Sequence, residues 1–338
     1  MGLTYAASAT SAFRKQEGYQ MSRTLSCLAI SLMMVMSAQA QQYPDHPVRV
    51  IVGYAAGSGP DIQARTVAAQ LSTSFGQQFF VENRLGANGT IAARAVVQSK
   101  PDGYTLLFSS SSITPTPYIY KNLGFDMRTD LEPVASVGIL DGLLMLVDAK
   151  SPIKSVPEFI AAAKKEQVLY GSPGVGNILH LATEIFSQKA GISMQHVPYK
   201  GASEVMTALL SGSVQVMFVT PPSVMGLVQE GRVCALAFTG TKPFLPFPNV
   251  PLMKNVLPGY EPMGSWGMFF APGKTPPAII DKLNTAIREG LKAPAVAGIM
   301  QRDGYVPDER SAAETADFFY KELDRMGPAV KAARIEPN

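Results

Sequence analysis

The stretch that decides the fold is residues 46–61, which read HPVRVIVGYAAGSGPD. Its first half is rich in Val and Ile and predicts a buried strand over residues 46–54. The glycines that follow indicate a tight turn, and Pro60 suits the first turn of a helix, where its missing N–H costs no hydrogen bond. We therefore expect a strand, a turn and a helix over residues 60–75, the repeating unit of an α/β fold.

The same alternation continues along the chain. Further strands are predicted at residues 78–82, 104–109, 168–172, 194–198, 214–219, 233–238 and 266–271. Helices are predicted at residues 87–98, 177–189, 202–211, 276–290 and 312–325. This order indicates two α/β lobes, each a mainly parallel sheet flanked by helices. We assign residues 41–142 and 262–338 to lobe 1 and residues 143–261 to lobe 2, with a hinge near residues 141–142 and 261–264.

The charge distribution argues against a nucleic-acid partner. The 338 residues carry a net charge of +3. Within residues 1–40, Arg14, Lys15 and Arg23 outweigh Glu17 by two charges, which leaves about +1 for the remainder. A protein that binds nucleic acid needs a basic face to displace counterions.

The chain contains three histidines without metal-ligand spacing. Cys27 lies in the apolar N-terminal run, so Cys234 is alone in the body and is expected to be a small apolar core residue. We therefore expect no metal and no cofactor.

The N-terminal residues predict export. From Met21 the chain has a positive start, an apolar run over residues 25–36 and the small-residue sequence Ala38-Gln39-Ala40. This pattern is typical of a signal peptide over residues 21–40, with cleavage between Ala40 and Gln41, and it predicts a periplasmic protein. The preceding residues 1–20 are expected to be untranslated, with Met21 as the true start.

Glycine and hydroxyl groups cluster where predicted strands end, which is where open α/β sheets bind ligands. These loops are AAGSGPD at residues 55–61, SSSS at residues 109–112, PGVGN at residues 173–177 and VTPP at residues 219–222. They contain no Lys or Arg, so we expect an anion to be held by backbone N–H groups at helix N-termini and by hydroxyls. Either glycine-rich turn alone could equally serve tight turn geometry. His180 could contact the ligand, cap its helix or pack in the core.

Several segments together resemble the substrate-binding receptors of tripartite tricarboxylate transporters, the Bug-type proteins. The matching segments are YPxxP at residues 43–47, GxGxD at 57–61, VENRxGAxG at 81–89, PDGYTLL at 101–107, YGSPGxG at 170–176, HVPYKG at 196–201 and SWGxFxAPG at 265–273. They extend in order over nearly the whole chain after residue 40.

The resemblance implies a type II-like periplasmic-binding-protein fold with a ligand cleft between the lobes. It also implies that a small di- or tricarboxylate or aromatic acid is captured by hinge closure and delivered to the membrane permease of such a transporter. We expect a monomer. The ligand contacts that it implies are Tyr54, Ala56, Gly57, Ser58, Gly59, Ser109, Ser110, Ser111, Ser172, Gly174, Gly176, Asn177, His180, Val219 and Thr220. Because Val219 stands where the family often has Asp, a ligand with an amino group is disfavoured.

Two other functions fit parts of the sequence. A binding protein that feeds a signalling system instead of a permease could have the same sequence features. A hydrolase or transferase could use Ser58 or Ser172 as a nucleophile, but neither has a base in a recognisable triad arrangement. We therefore expect a protein that is not an enzyme.

Overall fold

A computed structural model describes residues 43–336, and the predicted export signal lies outside the described residues. The strands are β1 Val48–Val52, β2 Phe79–Asn83, β3 Thr105–Ser110, β4 Leu131–Leu140, β5 Leu144–Asp148, β6 Val168–Ser172, β7 Met194–Pro198, β8 Val216–Val219, β9 Val233–Phe238, β10 Ser265–Pro272 and β11 Tyr305–Pro307. The helices are α1 Gly59–Phe75, α2 Thr90–Val97, α3 Thr116–Ile119, α4 Val156–Ala163, α5 Ile178–Ala190, α6 Ala202–Leu210, α7 Met225–Gln229, α8 Met253–Val256, α9 Pro277–Leu291, α10 Pro294–Arg302 and α11 Ala312–Ala332. Among these, none has the length and apolar character of a membrane-spanning helix.

The strand, turn and helix predicted from residues 46–61 form as β1 and α1. Pro60 lies in the first turn of α1, and the helix ends at Gly76. That glycine adopts a left-handed conformation with φ 68°, and its amide donates a hydrogen bond to the carbonyl oxygen of Ser72. Helices commonly end in this way because glycine has no Cβ to oppose a positive φ.

The chain forms two mixed sheets. The first has six strands in the order β11-β4-β10-β3-β1-β2, and the second has five in the order β7-β6-β8-β5-β9. In the first sheet β1 is parallel to β2 and β3, whereas β10 is antiparallel to β3 and β4 and β11 is antiparallel to β4. In the second sheet β6 is parallel to β7 and β8, whereas β5 is antiparallel to β8 and β9.

In each sheet most strands run in one direction, and β5 and β10 are among those that run against it. Strand β5 enters the second sheet directly from β4 of the first, and β10 returns from the second sheet to the first. Each of these strands enters its sheet from the other lobe and therefore runs against most of its neighbours. The sequence did not predict β4, β5 or β11. Most apolar residues of β4 and β5 are buried, whereas in β11 Tyr305 is buried and Val306 is exposed.

Two crossing segments, residues 141–143 and 239–264, connect the two sheets and contact each other. The carboxylate of Asp141 accepts hydrogen bonds from the amides of Thr241 at 2.7 Å and Lys242 at 3.1 Å. A Cβ built on Gly264 would lie 2.1 Å from the carbonyl oxygen of Leu140, so the two backbones touch where only glycine fits. The chain thus passes between the two sheets through segments that contact each other near Asp141 and Gly264.

Helix α11 packs against both cores. Its residues Phe319 and Leu323 lie in a cluster with Trp266 of the first sheet. One or two turns further on, Met326 and Val330 are buried in the cluster of the second sheet. The core of the second lobe therefore includes a part of the chain that the sequence assigned to lobe 1.

Candidate functional site

A cleft of about 480 Å³ opens where loops of the two sheets face each other. Its size is within the range of small-molecule sites. From the first lobe it is lined by Gly53, Tyr54, Ala55, Ser58, Gly59, Pro60, Leu85, Gly86, Ala87, Asn88, Ser110, Ser112, Tyr120 and Ser265. From the second lobe it is lined by Pro173, Gly174, Asn177, Ile178, Leu179, Tyr199, Lys200, Gly201, Ala202, Thr220 and Ser223.

The structure brings about half of the predicted contact residues to this cleft. Those that line it are Tyr54, Ser58, Gly59, Ser110, Gly174, Asn177 and Thr220. The others are not among the lining residues: Ala56, Gly57, Ser109, Ser111, Ser172, Gly176, His180 and Val219. Most of these residues form hydrogen bonds within the protein. We therefore interpret them as residues that shape the loops.

Asp61 fixes the turn between β1 and α1. Its side chain is 2% exposed and accepts hydrogen bonds from the amide of Gly57 at 2.9 Å, from Asn83 Nδ2 at 2.7 Å and from Arg65 Nε at 3.0 Å. Burial opposes ionisation, but these three donors outweigh it and hold the pKa of Asp61 below its usual value. The carboxylate thus stays charged and keeps the turn in place. In that turn, Ser58 Oγ is buried and has no protein partner among the described residues.

Several backbone amides that we expected to bind the ligand already have protein acceptors. The amide of Gly57 is bound to Asp61, and that of Gly59 donates to Ser223 Oγ at 3.2 Å across the cleft. In the second lobe, the amide of Gly176 donates to Nδ1 of His180 at 2.9 Å. In this conformation, the groups free to bind a ligand are therefore side-chain donors more than the amides of the two glycine-rich turns.

The serines after β3 form a connected set. Tyr54 OH lies 3.2 Å from Ser109 Oγ and accepts a hydrogen bond from the amide of Ser110 at 3.4 Å. Ser111 Oγ lies 2.9 Å from Ser265 Oγ. Ser109 and Ser111 thus hold the loop, whereas Ser110 faces the cleft. Burial raises the pKa of Tyr54, so its hydroxyl stays protonated.

His180 belongs to a buried group behind the second-lobe wall. Its ring stacks on His196 with a centroid separation of 3.9 Å, and Ser172 Oγ lies 2.7 Å from His196 Nε2. Burial lowers the pKa of His180 to about 3, with a further contribution from His196. Burial likewise lowers the pKa of His196 to about 4. Of the three roles considered for His180, the geometry fits a core residue that also accepts the loop amide of Gly176.

The sequence analysis missed two polar residues of the lining. Lys200 is exposed in the loop between β7 and α6, and it is the sole charged residue of the lining in the described part of the chain. Asn88 lies between β2 and α2 in a left-handed conformation with φ 55° and ψ 32°. Lys200 follows a predicted strand within HVPYKG, so the strand-end rule could have found it had it been applied to that loop. Asn88 was placed inside the predicted helix over residues 87–98, but the α-helix begins only at Thr90.

The remaining lining is largely apolar and aromatic. The rings of Tyr54, Tyr120 and Tyr199 come from three different loops, and Ile178 and Leu179 begin α5 at the second-lobe wall. No carboxylate lies among the lining residues within 43–336. A cleft with one cation, neutral donors and apolar walls favours a small anion with an apolar body.

This arrangement defines a class of protein, a two-lobed α/β receptor for a small solute. Residues 63–335 match the TctC family, described as the tripartite tricarboxylate transporter family receptor, and the chain belongs to this family. A UPF0065 protein of Bordetella bronchiseptica is 34% identical, covering 94% of this chain and 95% of the relative.

Three solved structures are similar to this chain in fold. The R. palustris protein Rpa4515 with adipate has a TM-score of 0.83 and 31% identity, covering 88% of this chain and 100% of that one. The periplasmic binding protein BugD has a TM-score of 0.82 and 28% identity, with coverages of 88% and 100%. MatC from Rhodopseudomonas palustris with bound malate has a TM-score of 0.78 and 27% identity, with coverages of 85% and 100%.

Proposed function

We propose that this protein is a periplasmic receptor that captures a small carboxylate between its lobes and delivers it to the permease of a tripartite tricarboxylate transporter. The observation that carries the proposal is the chemistry of the cleft, in which Lys200 is the one charged residue among the described lining residues. An anion placed there meets an ammonium group and hydroxyl donors without an opposing carboxylate. The adipate and malate bound to two structural relatives support this ligand class.

Binding requires donors from both lobes. Ser58 Oγ in the first lobe is buried without a protein partner among residues 43–336, and Lys200 and Asn177 line the second lobe. A carboxylate accepts several hydrogen bonds and can use such donors together. Apolar contacts with Tyr54, Tyr120 and Tyr199 would bury the body of the ligand. These groups carry out recognition and no bond-breaking step, so the proposed protein is a receptor and not an enzyme.

Hinge closure would bring the two sets of donors together. We propose residues 41–142 and most of residues 262–338 as one lobe and residues 143–261 as the other, with rotation at the crossing segments beside Asp141. Hinge-bending binding proteins close around their ligands in this way. Small-angle scattering should therefore give a smaller radius of gyration when a bound carboxylate is present than when it is absent.

A thermal-shift screen tests the ligand class. Adipate, malate, citrate and benzoate would be compared with glucose and arginine at equal concentration. A ligand at a hundredfold excess over its dissociation constant should stabilise the folded protein by about 2.7 kcal/mol, which corresponds to a rise of several degrees in Tm. Stabilisation by glucose or arginine, with none by any carboxylate, would overturn the proposal.

A further inference from the structure

Asn88 has a backbone conformation that favours very few residue types. It lies in the turn between β2 and α2 with φ 55° and ψ 32°, next to Gly89 with φ 89°. Asn tolerates the left-handed region better than most residues other than glycine. Its side chain is 8% exposed and lines the cleft. The turn thus places a buried amide, with one donor group and one acceptor group, at the ligand site.

The donor half of this amide joins the two lobes. Asn88 Nδ2 donates to the carbonyl oxygen of Val175 in the second lobe at 2.6 Å and to Tyr120 OH at 3.3 Å. A carbonyl oxygen can only accept, so this contact fixes which end of the amide is the nitrogen. Asn88 therefore bridges the two lobes in this conformation.

The acceptor half of the amide has no partner among residues 43–336. Asn88 Oδ1 is buried and receives no hydrogen bond from any described residue. It faces Gly174, another lining residue, because a Cβ built on Gly174 would lie 2.8 Å from it. Because position 174 is glycine, no side chain of that residue occupies the space next to Oδ1. A buried acceptor without a donor is costly, and a donor group on a bound ligand would remove that cost.

A carboxylate cannot supply that donor, since both of its oxygens are acceptors at neutral pH. An ammonium group could, but the described lining offers no carboxylate to pair with it. A neutral hydroxyl is the remaining simple group that accompanies carboxylates in small metabolites.

We propose that Asn88 recognises a hydroxyl group on the carboxylate ligand and couples this recognition to closure. Oδ1 accepts from the ligand hydroxyl while Nδ2 holds the second lobe through Val175. The inference rests on the proposed carboxylate-binding function and adds that the ligand is a hydroxylated acid.

Isothermal titration calorimetry with pairs of acids that differ by one hydroxyl group tests the inference. The pairs are succinate and malate, glutarate and 2-hydroxyglutarate, and benzoate and its three monohydroxy derivatives. For at least one pair, the hydroxylated acid should bind wild-type protein about tenfold more tightly than its deoxy partner, the ratio given by one net hydrogen bond.

Two variants of Asn88 test the donor and the acceptor of its side-chain amide separately. Asn88→Gly suits the left-handed backbone and removes both contacts, so it should reduce the ratio to about one. Asn88→Asp keeps an acceptor but loses the donor to Val175, so it should weaken both members of a pair while keeping the preference for the hydroxylated one. The exposed Asn122 provides a matched control, and Asn122→Gly should leave both affinities unchanged.

Each other outcome overturns the inference. Equal binding of both members of every pair that binds would mean that solvent or another group satisfies Oδ1. A preference for the hydroxylated acid that survives in Asn88→Gly would place recognition elsewhere. If the protein binds none of these acids and no other carboxylate in the thermal-shift screen, the proposed function fails and the inference falls with it.

Discussion

Replacing His180 with Asn should make the folded protein less sensitive to acid. His180 is 5% exposed, and its Nδ1 accepts the amide of Gly176 at 2.9 Å. Burial, together with the neighbouring His196, lowers its pKa to about 3. Asn has an oxygen at a similar distance from the backbone and can accept the same hydrogen bond, but it does not titrate. The substitution thus removes the proton-binding group and keeps an acceptor for the loop.

The direction and the magnitude of the change in unfolding free energy follow from the linkage between proton binding and unfolding. In the unfolded chain histidine has a pKa of about 6.5, so between about pH 6.5 and pH 3 the unfolded state binds a proton that the folded state excludes. Stability is therefore full above pH 6.5 and falls as the solution is acidified. From pH 7 to pH 5 the loss due to His180 is about 2 kcal/mol. This value hardly depends on the native pKa, because a group with a pKa near 3 is still neutral at pH 5.

Two neighbours also titrate but remain in both proteins. His196, whose pKa is lowered to about 4 by burial, acts in the same direction. Burial raises the pKa of Glu184, so its contribution has the opposite sign and is lost as the pH rises. Because both neighbours are present in wild type and variant, the difference between the two proteins isolates the effect of His180.

Urea denaturation at pH 7 and pH 5 measures the effect. Wild-type protein should lose about 2 kcal/mol more unfolding free energy between these pH values than His180→Asn does. Equal losses in wild type and His180→Asn would refute the reasoning, since His180 would then not be kept neutral by the fold.

Three further predictions concern the cleft and the hinge. Lys200→Gln should weaken carboxylate binding about two- to fivefold at low salt, and titration calorimetry should show a smaller dependence of affinity on sodium chloride. Gly59→Ala places a Cβ 3.1 Å from Thr220 Oγ1 across the cleft, so scattering with ligand should show less closure, whereas Gly226→Ala, with open space around its Cβ, should close normally. Asp141→Asn removes one carboxylate oxygen that accepts the amides of the second crossing segment and should lower stability by about 1 kcal/mol in urea.

The units that the sequence predicted well are those whose signals are local. The strand β1, the glycine turn and the helix α1 each follow from neighbouring residues, and so does the corresponding β6, turn and α5. The strands β4 and β5 were missed because residues 131–148 form a nearly continuous apolar segment whose division between two sheets depends on tertiary pairing. The direction of β5 and β10 likewise depends on which lobe each strand comes from.

The site was predicted less completely because contacts within the protein compete for its polar groups. Free amides at a helix N-terminus predict anion binding, but the amide of Gly57 is bound by Asp61 and that of Gly176 by His180. Both acceptors lie only four residues further along the chain, so a local search could have found them. The interlobe bond from Asn88 to Val175 joins residues 87 positions apart, and no local pattern predicts it.

The same interlobe contacts limit how the ligand can drive closure. Gly59 and Asn88 contact the second lobe directly through Ser223 and Val175, so this arrangement of the lobes is stabilised in part without any ligand. A ligand shifts such an equilibrium only by the difference between its affinities for the open and closed forms. Contacts with one lobe alone bind both forms equally. The ligand must therefore touch groups of both lobes at once, and a hydroxyl at Asn88 would do so indirectly, because it satisfies the amide that already grips the other lobe.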